Sequence, residues 1–337
     1  MHLTALVEHQ DHVCCRYRLV AFRPFLERTG HTLELIALPR LPWERIWLYR
    51  RLRGAAVVLQ RKLLPRWEIA LLRWSARTLV FDFDDAVFLR DSYAAKGLHD
   101  RRRLRRFAAT VRACDAVAAG NAFLARNASR WTSPGRIYVV PTCVDPTLYP
   151  TAVPRRHDEG VQLVWVGSSS TLRGLESVRP MLEELGRRVS GATLKLICDR
   201  FLSFDPLPVV ACPWTEAGEA AEIAAADVGV SWIPDDDWSR GKCGLKSLQY
   251  MAAGLPVVAN PVGVHVEMVR HGETGFLAET TEQWVEAVSL LARDPVLRQR
   301  MGAAGRRLLE EKYSVARGAE HWLSMLNGLQ RGERRTA

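Results

Sequence analysis

The sequence predicts an α/β protein made of two parallel-sheet units, and three observations carry that expectation. Short apolar runs alternate with helical patterns almost from end to end, as parallel strands joined by crossover helices require. Several runs are apolar at consecutive positions, Val257-Val-Ala259 among them, which suits strands covered on both faces. At 337 residues there is room for two domains of ordinary size, and 48% hydrophobic with 25% charged residues is the composition of a soluble globular protein.

Taken in order, Leu3–Val7, Leu33–Ala37, Ala56–Leu59, Leu79–Phe83, Ala116–Ala119 and Ile137–Val140 read as strands of the first unit. The helices between them include Arg18–Glu27, Arg66–Trp74 and Arg101–Arg112. Val140-Pro-Thr-Cys-Val-Asp145 ends this alternation, and Pro146–Gly160, with three prolines and a mixed polar run, has the composition of a hinge. The second unit offers Val161–Gly167, Leu194–Cys198, Val209–Cys212, Val228–Trp232 and Val257–Ala259 as strands, and a helix from Val315 to about Leu329 closes the chain. The expected divisions are residues 1–150, 151–312 and 313–337. No internal repeat of solenoid length is present.

No apolar run approaches the ~20 residues that span a bilayer. The N-terminal Met1–His9 is too short and polar for a signal peptide and reads as a first buried strand, so a cytoplasmic protein is expected. Seven cysteines, an odd number with no Cys-x-x-Cys pair, suit reduced thiols rather than a disulfide frame or a zinc site. The net charge is +10, and residues 1–150 hold 25 Lys plus Arg against 13 Asp plus Glu, so the excess lies in the first half. Its densest part is Arg101-Arg-Arg-Leu-Arg-Arg106. A solvated face, attraction to anionic lipid headgroups or a lipid-diphosphate acceptor, and a nucleic acid are the three readings; no recognisable nucleic-acid module accompanies the charge.

The most informative stretch runs from Gly241-Lys-Cys-Gly-Leu-Lys246 through Met251-Ala-Ala-Gly-Leu-Pro-Val-Val-Ala259 to Gly263. It reads as a basic loop, a short helix, a Gly-Leu-Pro stop and a buried strand. Lys242 and Lys246 stand close to the opening of that helix, whose unpaired N–H groups and partial positive charge favour an anion such as a diphosphate. Gly254 suits the helix C-cap, and Pro256 prevents continuation. This stretch resembles the donor-binding core of glycosyltransferase family 4. The resemblance extends through Gly263-Val-His-Val-Glu-Met-Val-Arg-His-Gly-Glu-Thr-Gly-Phe-Leu277, Asp294–Gly302 and Tyr313-Ser314, while the N-terminal half matches more loosely.

The resemblance implies the GT-B fold: two Rossmann-like domains facing across a cleft, with a C-terminal helix crossing back to the first. It also implies a retaining transferase that uses a nucleotide-diphosphate sugar as co-substrate, without a resident cofactor or a metal. Gly167-Ser168-Ser169-Ser-Thr-Leu-Arg173-Gly174 is a strand-to-helix turn whose small and hydroxyl residues are placed to aim donors at phosphate oxygens. Where the family has Gly-Arg and then Lys-Gly, this chain has Ser168 and Arg173-Gly174. The family's two glutamates fall on Gly241 and Gln249; Gln249 keeps an amide for a ribose hydroxyl, and Asp235, Asp236 or Asp237 are candidates to replace the sugar contact. Lys246 is the expected principal phosphate cation, ahead of Lys242 and Arg240.

In the first half, Asp84 falls on the family's histidine position and Asp85 on the acid after it. Asp82, Asp84 and Asp85 repel one another, so a neighbouring cation or a sugar hydroxyl is expected among them, with an Asp-x-Asp metal site as a rival reading. Arg16 and Arg18 are placed either to clamp an acidic acceptor or the donor phosphates, or to sit in solvent on a first helical turn. Asn121 is a candidate helix cap. The resemblance implies that the nucleotide base packs near Trp214, which reads equally as a core tryptophan. Glu267 falls where many members place a glutamate near sugar or ribose, with a solvated helix residue as the alternative.

The reaction expected is sugar transfer to a glycan, lipid-linked or small-molecule acceptor held by the basic first domain. Asp84, Arg173 and Lys246 are the catalytic candidates, Arg16, Arg18 and Asp85 the acceptor contacts. Peripheral contact with the inner face of an anionic membrane is also expected, and nucleic-acid binding is not. A sugar-nucleotide epimerase and a nucleotide-binding subunit without catalysis remain alternatives.

Overall fold

The computed structural model describes residues 1–152 and 160–336; of the expected hinge, residues 153–159 lie outside the described residues. The chain divides into two compact units. Unit 1 comprises Met1–Cys143, Asp236–Cys243 and Val315–Ala337, and unit 2 comprises Val144–Asp235 and Gly244–Ser314. Each holds a six-stranded sheet in which every pairing is parallel.

Unit 1 runs β1 (His2–Val7), α1 (Val13–Arg18), α2 (Arg23–Arg28), β2 (Thr32–Ala37), α3 (Pro42–Arg51) and β3 (Ala56–Gln60). It continues with α4 (Arg66–Ser75), β4 (Thr78–Phe83), α5 (Arg101–Ala113), β5 (Ala116–Ala119), α6 (Ala122–Ala128) and β6 (Ile137–Val139). The strand order is β2-β1-β3-β4-β5-β6. Successive side chains of a strand point to opposite faces. Val57, Leu59, Leu79, Phe81 and Phe83 accordingly join the core under α3, α4 and α5, with Tyr49, Ile69, Leu72 and Phe107. Ala56, Val58 and Val80 join the opposite core with Cys15, Leu19 and Phe22.

The single helix expected over Arg18–Glu27 is instead α1, a 3-10 turn at Val20–Phe22, and α2. Pro24 has no N–H to give and its ring would strike the carbonyl four residues back, so one continuous helix through it is disfavoured. His12 starts α1 earlier than expected, its Nδ1 accepting from the Cys14 amide at 3.2 Å.

Unit 2 runs β7 (Gln162–Val166), α7 (Leu172–Ser177), α8 (Arg179–Arg188), β8 (Thr193–Cys198), β9 (Val209–Pro213), α9 (Glu219–Ala224) and β10 (Val228–Ser231). After α10 (Asp237–Arg240), which belongs to unit 1, come α11 (Leu245–Ala252), β11 (Val257–Ala259), α12 (His265–Met268) and β12 (Gly275–Leu277). Helices α13 (Thr281–Arg293) and α14 (Pro295–Lys312) finish unit 2, and α15 (Val315–Thr336) lies in unit 1. The strand order is β12-β11-β10-β7-β8-β9. Val315, Ala319, Trp322, Met325 and Leu326 form one buried stripe of α15 beside Leu3, Phe22 and Leu26. Among the described residues no helix is long and apolar enough to cross a membrane.

Gly254 ends α11 in the left-handed conformation, φ 74°. Its amide bonds the Met251 carbonyl at 3.0 Å, and the Leu255 amide bonds that of Tyr250 at 2.9 Å, the paired closure of a Schellman motif. The same turn lies against α14: a Cβ on Gly302 would stand 1.8 Å from the Gly254 carbonyl oxygen. Backbone cannot give way there, so Gly302→Ala should destabilise unit 2 by about 3 kcal/mol. Urea unfolding of the variant beside the parent protein measures this; an unchanged midpoint would refute the close packing.

Candidate functional site

Ligands of open parallel sheets bind beyond the carboxyl ends of the strands, so the residues just after each strand are the ones to place. In unit 1, β4 ends at Phe83, with the Asp82 side chain on the α1 side, and is followed by Asp84 and Asp85. Asp82 pairs in register with Gln60, the last residue of β3, and Arg61 follows. Arg61 holds a left-handed backbone at φ 57°, uncommon for a side chain with a Cβ. Its Nη1 donates to Asp84 Oδ1 and its Nη2 to Asp85 Oδ2, each at 2.6 Å. Lys242 Nζ lies 3.0 Å from Asp85 Oδ1 and 4.7 Å from the Trp238 ring centroid.

The repulsion expected among three carboxylates is therefore answered by three cations. Arg18, expected at an acceptor lip or in solvent, is instead fully buried, its guanidinium donating to both oxygens of Asp82 and to the Val140 carbonyl. Gln60 Nε2 adds a bond to Asp82 Oδ2 at 3.3 Å. Burial works against ionisation of Asp84, but Arg61 and then Arg18 outweigh it and hold the carboxyl below its ordinary value. For Asp82 burial prevails over Arg18 and raises the carboxyl. Arg16 is half-buried, with its guanidinium 4.9 Å from the Tyr17 ring centroid. Arg61 was missed from sequence; its one legible signal is the polar Gln60-Arg-Lys62 closing an otherwise apolar strand.

Segment Asp236–Cys243 joins this edge. Asn121 caps α6 by accepting from the Leu124 amide at 2.9 Å, and its Nδ2 donates to the carbonyls of Arg240 (3.2 Å) and Lys242 (2.9 Å). Cys243 Sγ donates to the Asp84 carbonyl at 3.2 Å. At Gly241, where the resemblance has a glutamate, a Cβ would stand 2.7 Å from both the amide nitrogen and the Cβ of Ala86. Close packing thus excludes any side chain there. Lys242, expected near the opening of the helix as a phosphate cation behind Lys246, belongs to unit 1 and pairs there with Asp85. Asp236 caps α10 and accepts from Ser92 Oγ at 3.2 Å, and Asp237 pairs with the exposed Arg240 at 3.2 Å, so both are engaged locally.

In unit 2, Lys246 lies in the first turn of α11, after Gly244 at φ 68°. Its Nζ stands 4.8 Å from the centroid of the Trp165 ring, a cation–π contact that fixes where the charge sits. Gly167 makes the fit possible, since a Cβ there would lie 2.4 Å from that ring. The expected phosphate loop differs from its reading: the Ser168 amide donates to Thr171 Oγ1 at 3.2 Å and the Ser169 amide to Asp199 Oδ1 at 2.6 Å. Both donors are taken within the protein, and Asp199 adds a carboxylate to the loop. Arg173 is exposed on α7. Gln249 is buried, donating to Tyr149 Oη at 3.2 Å rather than facing outward for a ribose. Trp214 is exposed and donates Nε1 to Glu219 Oε2 at 2.6 Å; Glu267 is exposed on α12.

His265 sits fully buried between Ser231 Oγ and the Asn260 carbonyl, 3.0 Å from each. A carbonyl only accepts, so Nδ1 carries the proton and Ser231 donates to Nε2. Burial, and then Lys246, push its pKa down from 6.5 to about 4. The unfolded chain takes up a proton near 6.5 while the folded one resists until about 4, so stability falls as pH falls through that window. The slope is about 1.4 kcal/mol per pH unit. His265→Gln should flatten this acid limb between pH 6.5 and 4.5 in urea unfolding, and an unchanged pH slope would refute it.

Residues 238–308 match the family described as Glycosyl transferases group 1. A D-inositol 3-phosphate glycosyltransferase of Pseudarthrobacter chlorophenolicus is 31% identical over 195 residues, covering 50% of this chain and 45% of that protein. The chain spans less than half the length of the curated relatives it matches. Sucrose-phosphate synthase from Thermosynechococcus elongatus superposes with a TM-score of 0.76 at 16% identity, covering 98% of this chain and 99% of that one. HepE of Anabaena, solved with UDP and glucose, superposes with a TM-score of 0.70 at 12% identity, covering 97% and 99%. The two six-stranded parallel sheets with their flanking helices are thus those of the GT-B fold, and within that fold residues 238–308 match glycosyl transferases group 1.

Proposed function

We propose that the protein is a nucleotide-sugar-dependent glycosyltransferase of the family 4 type. It acts with retention and without a metal, on a glycan, lipid-linked or small-molecule acceptor. The observation that carries this is Lys246: a cation on the first turn of α11, held over Trp165, inside the segment that matches the glycosyl transferases. Helix N-terminus and ammonium together suit a diphosphate. In the reaction the bond from the anomeric carbon to the diphosphate breaks and a bond to the acceptor oxygen forms on the same face. The acceptor proton passes to the leaving phosphate, whose growing charge Lys246 stabilises, with Arg173 the second cation proposed. On the acceptor side, Asp84 stays an acceptor-only carboxylate because Arg61 holds it ionised. The absence of a metal role is supported by Asp84 and Asp85 each having a protein cation already.

A cytoplasmic location and peripheral contact with an anionic membrane belong to the same proposal. A second reading, nucleotide binding without catalysis, is favoured by the Ser168 and Ser169 amides being engaged internally. Titration calorimetry with UDP, GDP, ADP and dTDP, followed by release of nucleoside diphosphate from the matching sugar donors, tests both. Turnover supports the transferase; binding heat with no release from any donor and acceptor supports the second reading; no binding heat refutes both.

A further inference from the structure

We infer that the outer face of α3, α4 and α5 in unit 1 is the surface that docks on an anionic lipid bilayer. These helices lie side by side over one face of the first sheet, α3 against α4 and α4 against α5. Residues four or seven apart share a helical face. Trp43 and Trp47 therefore form one stripe on α3, and Trp67 and Trp74 one on α4. All four point outward, 59%, 66%, 53% and 63% exposed. An isolated exposed apolar residue needs no explanation, but four of the chain's 11 tryptophans on two adjacent helices do. Leu41 and Leu104, also exposed, extend the patch at either side.

The charge on this face is predominantly positive. Helix α5 carries six arginines and no acidic residue, and Arg101, Arg102, Arg105 and Arg112 are exposed. Of the two glutamates on α3 and α4, Glu68 is buried and accepts from Tyr49 Oη at 2.7 Å and Arg45 at 3.3 Å, which leaves Glu44 outside. Arginines lie beside the indoles: Arg50 is 5.8 Å from the Trp47 centroid and Arg53 is 4.9 Å from that of Trp74.

Between α4 and α5 runs a groove of about 630 Å³ with Ile69, Ala70, Ala108 and Ala109 along it and Arg66 and Arg105 among its cations. Tryptophan rings settle at the level of lipid headgroups, where one edge is apolar and the other wet, and arginine pairs with the phosphates there. A nucleic acid would use the arginines but leave Leu41, Leu104 and the groove's apolar wall without a partner.

The inference rests on the membrane contact proposed above and not on sugar transfer. Its test uses the whole chain with phosphatidylcholine vesicles and with vesicles containing one-third phosphatidylglycerol. Sedimentation should be about tenfold stronger with the anionic vesicles, and Trp47→Ser/Trp74→Ser should weaken it about fivefold. Brominated phosphatidylglycerol should quench the protein's own tryptophan fluorescence. The inference is overturned by absence of sedimentation, by sedimentation that the double variant keeps in full, or by binding to duplex RNA without binding to vesicles. Should circular dichroism show the double variant unfolded, quenching of the parent protein decides, and its absence overturns the inference. Nucleoside diphosphate release is measured without vesicles, so failure of the transferase reading shows separately.

Discussion

Arg18→Met should destabilise unit 1 by about 3–5 kcal/mol, because it leaves the Asp82 carboxylate buried without its cation. Both side chains are fully buried, and the guanidinium holds both carboxylate oxygens. After the substitution Gln60 remains as a donor to a carboxylate that is fully buried. That loss is a large share of the ~5–15 kcal/mol that holds a domain folded. The companion result matters as much: Arg18→Met/Asp82→Leu should recover most of the stability, since an apolar pair of similar volume needs no desolvated charge. Urea midpoints of the parent, single and double variants measure this. A single variant within 1 kcal/mol of the parent would show that the pair contributes little, against the burial argument.

Lys246→Ala should lower turnover by about 10²–10³-fold, the loss expected when one preorganised donor to a developing oxyanion is removed, or about 3–4 kcal/mol. The effect belongs mainly in kcat, because the leaving diphosphate gains charge as the sugar departs. Fold should be retained, since Lys246 is only half-buried and its ammonium rests on the face of Trp165. Trp165→Leu keeps the charge but removes its support, and should give a smaller loss, about tenfold, through misplacement of the cation. Steady-state rates of nucleoside diphosphate release for the two variants check the order. Full activity in Lys246→Ala would end the assignment of this lysine to the phosphates.

Much of the fold was legible because its signals are local. Short apolar runs mark β4, β5 and β11 to within a residue, and Gly254 followed by Pro256 marks the end of α11 through backbone conformation alone. The short β12 was not foreseen, since three residues carry no usable period. The departures at Gly241 and Gln249 from the family's glutamates were visible in sequence, but their reasons were not. One is the approach of Ala86 and the other is the hydroxyl of Tyr149, 100 residues away.

What the sequence determined by itself is the alternation of strands and helices, the helix stop after α11 and the basic excess of the first half, because period, cap chemistry and charge are carried by neighbouring residues. Only the tertiary structure decided that Arg61 joins Asp84 and Asp85, that Arg18 is buried on Asp82, and that Asp236–Cys243 belongs to unit 1 with Lys242 on Asp85. It also decided that the Ser169 amide is taken by Asp199, which follows the neighbouring strand. Each of these depends on which strands lie side by side and in what register. A partner brought to between 2.6 and 3.2 Å from 23 to 159 residues away leaves no pattern in the chain; strand order and burial select it.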